Sequence, residues 1–133
     1  MKRRNLLAGA ILGVSAVLAG LPALAADEPL KVGLILPMTG PFASTGRQIE
    51  AAAKLYIAEH GASVAGREVE LLVKDDAGVA DTTKRLAQEL IVKDKVAVLA
   101  GFGLTPLAMA TAPLATRAKV PAVVMAAATS SIT

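Results

Sequence analysis

The sequence predicts an α/β fold built on a parallel sheet, with the element order β-α-β-α-β-α-β. Three observations carry this. Four short runs, Leu30–Leu36, Glu68–Lys74, Val96–Ala100 and Pro121–Met125, are apolar, bounded by turn residues and of strand length. Between them lie three longer stretches with helical character, the first two with apolar residues at three- and four-residue spacing. The connections are short, and a helix between consecutive strands imposes parallel pairing through right-handed crossovers.

The elements follow in order. Leu30–Leu36 is closed by Pro37, and Pro37–Gly46 (PMTGPFASTG) reads as a loop. Arg47–His60 reads as a helix with an inward stripe of Ile49, Ala52, Ala53, Tyr56 and Ile57, and Gly61 stands where a helix C-cap belongs. Gly66-Arg67 is a turn before the second strand, which ends at the Asp75-Asp76-Ala77-Gly78 loop. Asp81 is the expected N-cap of a helix running to Val92, with Leu86, Leu90 and Ile91 inward. The third strand leads to Gly101-Phe102-Gly103-Leu104. There Thr105 is the expected N-cap, with Pro106 at the first helical position and the helix running to Ala118. The fourth strand ends in a loop of small residues, Ala126–Thr133.

Composition narrows the function. The 133 residues hold one average domain. With no Cys there is no disulfide framework, thiolate metal site or Cys nucleophile, and the single His, His60, cannot build a multi-histidine metal centre. Phe42, Tyr56 and Phe102 are the only aromatic residues, too few for stacking platforms that hold single-stranded nucleic acid. The net charge of +3 comes entirely from Lys2, Arg3 and Arg4; the rest of the chain has 11 basic and 11 acidic residues, so neither nucleic acid nor an anionic surface is implied as a partner.

Residues 1–25 have the layout of a signal peptide. Met1–Asn5 is cationic, Leu6–Leu21 carries no charge, and Ala23-Leu24-Ala25 is a small-x-small cleavage site before Ala26. Leu6–Ala26 is just long enough to span a bilayer as a retained anchor, but three glycines, Pro22 and the cleavage triplet favour removal. Arg3-Arg4-Asn5-Leu6-Leu7 leaves the export route open between the general and twin-arginine pathways. The expected product, residues 26–133, is periplasmic and does not span the membrane.

In an open parallel sheet, ligands bind beyond the carboxyl ends of the strands, where successive crossovers change sides. A strand order of 2-1-3-4 puts that point between the first and third strands, at loops Pro37–Gly46 and Gly101–Thr105. Ala126–Thr133 lies on the same rim. Thr45 and Thr105 stand at the two helix starts, where free backbone N–H groups and the helix dipole suit a carboxylate. Asp75 and Asp76 are expected to be solvated or capping, Tyr56 to be core and His60 to be a surface imidazole. The Gly101–Pro106 stretch fails as a dinucleotide fingerprint, because Pro106 replaces the third Gly and no acidic residue follows it. There is no nucleophile elbow and no phosphate loop. Catalytic, cofactor and metal residues are therefore expected to be absent.

The chain resembles a known family at these loops. Lys31–Ala43 (KVGLILPMTGPFA) followed by Gly46, Gly66-Arg67 before a strand ending Lys74–Ala77, Val98–Gly101 leading to Thr105, and Val120–Val124 before Ala126–Thr129 are similar to the periplasmic solute-binding proteins of branched-chain amino-acid ABC transporters, the leucine/isoleucine/valine-binding type. The resemblance implies a type I periplasmic-binding-protein fold, with two α/β lobes that close on the ligand. Residues 26–133 would form part of the N-terminal lobe and stop before the hinge. It implies a binder of a small carboxylate, such as a branched-chain or other amino acid, that serves the ABC permease subunits and has no cofactor. Thr105 matches the hydroxyl residue that holds the ligand carboxylate, with Gly103 in the same turn. Ala127 and Thr129 match residues that hold the α-amino group. Thr45 replaces an aromatic residue at the pocket edge, and relatives with this loop style take other carboxylates, amides and aromatic acids. The alternative is a regulator of the same fold that senses amides or aromatic acids.

Overall fold

The computed structural model describes residues 28–132; the leader over residues 1–25 lies outside them. The elements are β1 (Leu30–Leu36), α1 (Ala43–His60), β2 (Ser63–Val64), β3 (Arg67–Asp75), α2 (Ala80–Val92), β4 (Val98–Gly101), α3 (Thr105–Ala118), β5 (Ala122–Val124) and a short 3-10 turn at Ser130–Ile132. No described helix is long and apolar enough to cross a membrane.

The strands lie in the order β2-β3-β1-β4-β5. β1 pairs in parallel with β3 on one side and β4 on the other, and β4 pairs in parallel with β5. This is the predicted 2-1-3-4 order, with one addition. Ser63–Val64 pairs antiparallel with Arg67–Glu68, which makes the sheet mixed. The Ala65-Gly66 turn between them has φ of 51° and 81°, the left-handed pair that a tight hairpin needs. A strand of two residues carries no periodicity, so only the turn showed in the sequence.

Alternation along the strands divides the core between two faces. Ile35, Leu99 and Phe102 pack with Leu86, Ala87 and Leu90 of α2 and with Ala108 and Ala115 of α3. Leu34, Leu36 and Ala100 face the other way, with Ile49 and Ala53 of α1 packed against them. The crossovers from β1 to β3 and from β3 to β4 thus run on opposite faces. The switch point falls between β1 and β4, as expected. Among the described residues α1 is the only helix on its face, and Val123 of β5 is 52% exposed.

Three local expectations are corrected. α1 starts at Ala43 rather than Arg47, so Thr45 lies inside its first turn. Tyr56 is not core: it is 64% exposed and stacks on His60, with ring centroids 4.2 Å apart. The half-buried stripe of α1 follows the four-residue ridge of Ile49, Ala53 and Ile57, and Ala52, also expected inward, is exposed with Tyr56. Neither Asp81 nor Thr105 caps its helix, since Val79 and Leu104 hold the cap positions without a side-chain bond. Asp81 instead lies in the first turn of α2, where its charge complements the helix dipole.

Candidate functional site

The carboxyl ends of β1 and β4 set the rim of the sheet. β4 ends at Gly101, whose φ is +111°, and a Cβ there would stand 2.2 Å from the carbonyl oxygen of Ile35. Only glycine allows β1 and β4 this approach. Phe102 follows at φ +63°, in the left-handed region that a bulky residue avoids. Three anchors hold it there. Its side chain is buried in the core, its N–H donates to Ile35 O at 3.0 Å, and its carbonyl accepts from Ala127 N at 3.1 Å. Met125 N adds a bond to Gly101 O at 2.9 Å. The turn after β4 is thereby tied both to β1 and to the loop after β5.

Pro37 links the remaining loop. A Cβ on Gly46 would come 2.2 Å from the Pro37 carbonyl oxygen, and one on Gly103 would come 2.8 Å from the Pro37 ring. The start of α1 and the turn before α3 therefore close on the same proline. Gly103 has a packing reason to be glycine, independent of any ligand.

The two turns differ in what their amides do. At the start of α3, the N–H groups of Gly103, Leu104 and Thr105 donate to no acceptor among the described residues. Pro106 has none to give, and Leu107 and Ala108 close onto Leu104 O at 3.1 and 3.3 Å. Three successive unpaired amides thus open the helix. The turn before α1 does so only in part: the N–H groups of Gly40, Phe42 and Ser44 donate to no acceptor among the described residues, and the rest are engaged. Asp75 accepts there from Met38 N at 2.8 Å, Thr39 N at 3.3 Å and the Thr39 hydroxyl at 2.7 Å. Ala43, Thr45 and Gly46 donate to the carbonyls of Gly40 and Phe42. This cradle already holds an anion, and the anion is the protein's own.

Asp75 also accepts from Ala77 N at 2.8 Å. Partial removal from water pushes its carboxyl up. The Thr39 hydroxyl and then the amides of Ala77, Met38 and Thr39 pull it down by more, so it ends below the ordinary aspartate value. A folded pKa below the unfolded one means that the clamp contributes fully above the unfolded value of about 3.9, and is lost as pH falls through the folded value. The Met38 and Thr39 amide resonances are expected to titrate together with a midpoint below that of a free aspartate. In Asp75→Asn this joint acid step disappears; a step that persists would assign the titration to another group. Asp76 is fully buried and accepts from Gly78 N at 2.8 Å, with the Thr83 hydroxyl at 2.9 Å. Both carboxylates are engaged as loop clamps.

The other predicted residues fall as follows. Thr105 is the first residue of α3, and its hydroxyl donates to Ala128 O at 3.3 Å. Ala127 gives its N–H to Phe102 and packs its side chain on the core. The structure thus brings Gly103, Thr105 and Ala127 together. Thr129 lines, with Ala122, Val124, Ala127 and Ile132, a cavity of about 370 Å3 beside β5, and its hydroxyl accepts from Ser131 N at 3.3 Å. Thr45 is exposed and reaches the group only through Gly46 and Pro37. A second, apolar cavity of about 360 Å3 lies between α3 and β5, lined by Phe102, Ala115, Val120 and Ile132 among others, not over the free amides. Residues 37–46, 101–106 and 125–132 contain no Lys or Arg, so within these loops the groups suited to an anion are backbone dipoles and hydroxyls. The sequence reading missed the Asp75 clamp. It also missed Phe42, 44% exposed and beside Leu104 at Gly78; an aromatic residue within a Gly- and Pro-rich loop was the available signal.

Comparison with known proteins decides the family. A family model described as periplasmic binding protein matches residues 29–133. The chain belongs to the periplasmic binding protein family. This periplasmic binding protein is 49% identical over 107 residues to the Leu/Ile/Val-binding protein homolog 6 of Brucella abortus (strain 2308), a match covering 79% of the chain and 27% of the relative. Two solved structures are similar. One is the solute-binding protein of an ABC transporter from Rhodopseudomonas palustris BisB5 in complex with 3,4-dihydroxybenzoic acid, at 66% identity and a TM-score of 0.77, covering 80% of this chain and 29% of that one. The other, from Rhodopseudomonas palustris HaA2 in complex with p-hydroxybenzoic acid, shows 51% identity and a TM-score of 0.75, with the same coverage. The chain therefore spans under a third of the length of these relatives. The two solved relatives are solute-binding proteins of ABC transporters, and the family is one of periplasmic binding proteins.

Proposed function

We propose that this chain is the amino-terminal part of the solute-binding component of an ABC importer, and that its ligand is an aromatic carboxylate of the hydroxybenzoate class. Residues 1–25 direct export, and residues 26–133 supply one side of the ligand site. The observation that carries the proposal is the run of unpaired amides at Gly103, Leu104 and Thr105, on a helix start with no cation in the surrounding loops. Such a start suits a carboxylate. The hydroxybenzoates held by the 66% and 51% identical proteins support the aromatic class. The name of the 49% identical Brucella relative keeps a branched-chain amino acid as the second reading. In either case the ligand passes unchanged to permease subunits, and selectivity rests on hydroxyls, backbone amides and exclusion of water.

The test is calorimetry with 3,4-dihydroxybenzoate, 4-hydroxybenzoate and leucine. It uses the chain itself and a chimera in which residues 28–132 replace the matching segment of the BisB5 protein. The chimera is expected to bind the two benzoates, and the chain alone far more weakly, because it supplies only part of the enclosure. A folded chimera that takes leucine and neither benzoate would move the assignment to the second reading. One that takes no carboxylate would end it.

A further inference from the structure

The opposite end of the sheet holds a carboxylate without a partner. Asp94 stands just past the end of α2, where its N–H donates to Glu89 O at 3.3 Å and Val96 N donates to Leu90 O at 3.1 Å. The side chain is half-buried, its Oδ2 is shut off from solvent with no hydrogen-bond partner, and no described residue forms an ion pair with it. The position aggravates the deficit, because the carboxyl end of a helix presents its own unpaired carbonyls and disfavours a further negative charge. A carboxylate left in this state is destabilising, and a cation is the group that relieves it.

Asp94 lines a polar cleft of about 430 Å3 at the amino ends of β1 and β3, together with Glu28, Lys31, Arg67, Lys93 and Lys95. None of the three lysines pairs with it. A lysine must freeze a long side chain to do so, whereas a chain end already held by its neighbours loses far less freedom. Arg67 is committed elsewhere: its Nε and Nη2 both donate to the Glu28 carbonyl, at 3.0 and 2.9 Å. The Gly66-Arg67 turn thereby pins the chain at the mouth of the cleft, two residues after Ala26.

We propose that this cleft is the seat of the processed amino terminus, where the α-ammonium of Ala26 pairs with Asp94 once the leader is removed. The inference rests on the proposed export and cleavage of residues 1–25 and goes beyond it. Two residues separate the new terminus from the pinned Glu28, a reach of about 7 Å, comparable with the width of a cleft of this volume. In the precursor the nitrogen of Ala26 belongs to a neutral peptide bond, so the pair can form only after cleavage. Processing then gives Asp94 its missing cation and fastens the start of β1, the strand on which both β3 and β4 pair.

The test uses the chain exported from its own precursor, with the start of the product read by mass, and the BisB5 chimera extended to begin at Ala26. Each is made unsubstituted and as Asp94→Asn, with the terminal amine intact or converted to a ketone by selective transamination. In the unsubstituted protein the Ala26 amine, followed through its methyl resonance, is expected to titrate about half a unit or more above the ordinary α-amino value of about 7.7–8.0. Asp94→Asn returns it to the ordinary range, while Glu28→Gln, which removes the other carboxylate of the cleft, leaves the shift in place. Loss of the amine lowers the thermal midpoint by a few degrees in the unsubstituted protein and by less than about one degree in Asp94→Asn, because both changes remove the same pair. An ordinary titration in the unsubstituted protein, a raised one that survives Asp94→Asn, or thermal losses that add would each overturn the inference alone. A product that starts elsewhere than at Ala26 overturns the cleavage reading, and the inference with it.

Discussion

Gly101→Ala is expected to be the most damaging single methyl addition on the rim. The residue sits at φ +111°, where an L side chain strains the backbone by about 1–3 kcal/mol. The added Cβ would also stand 2.2 Å from the carbonyl oxygen of Ile35. That oxygen belongs to the opposed residue of the β1–β4 ladder and accepts from Phe102 N, so it cannot move aside without breaking the turn. The combined cost is about 4 kcal/mol or more, a large share of the 5–15 kcal/mol typical of a folded domain. Gly66→Ala carries the backbone strain without the clash, so the difference between the two variants is the steric part. Gly66 has φ +81°, but nothing lies within 4 Å of its Cβ position. Urea titration of both variants should show a far lower midpoint for Gly101→Ala with little change in slope. If the two midpoints coincide, β1 and β4 are not as close as described.

Phe102→Ala is expected to rank next, at about 3–5 kcal/mol for emptying a buried aromatic site. The ring is 1% exposed and joins β1, α2 and α3 in one cluster. The backbone at this residue adds a sharper expectation. At φ +63° an alanine keeps the left-handed strain of about 1–2 kcal/mol, whereas glycine relieves it. Phe102→Gly should therefore be less destabilised than Phe102→Ala, by about 1 kcal/mol, the reverse of the usual order within regular elements. Equilibrium unfolding of the two variants side by side decides it. A more stable alanine variant would mean that the turn does not hold the left-handed conformation.

Much of the architecture was legible because it rests on local pattern. Apolar runs of strand length marked β1, β3, β4 and β5. Their alternation with helices required parallel pairing, and the expected strand order put the switch point where the structure has it. The misreadings came where tertiary bonds outweigh local preference. Ala43–Gly46 reads as loop from its small residues, yet it forms the first turn of α1, with Gly46 packed so closely on Pro37 that a Cβ would stand 2.2 Å from its carbonyl oxygen. Thr105 has the chemistry of an N-cap, but Ala128, 23 residues on, takes its hydroxyl. Asp75 clamps Met38 and Thr39 across 37 and 36 residues of sequence, and no spacing rule encodes that separation. Within the site, the choice of loops was readable from the strand ends. Which amides remain free was not, because that depends on partners brought in by the fold.

The wedge of Pro37 between Gly46 and Gly103 has a mechanical consequence. Neither helix start can swing independently: a displacement of one drives the proline ring or its carbonyl into the other. With Phe102 bolted to Ile35 and Ala127, this end of the sheet acts as a single stiff jaw. If the proposed site takes a guest, the geometry that greets it is already set before it arrives.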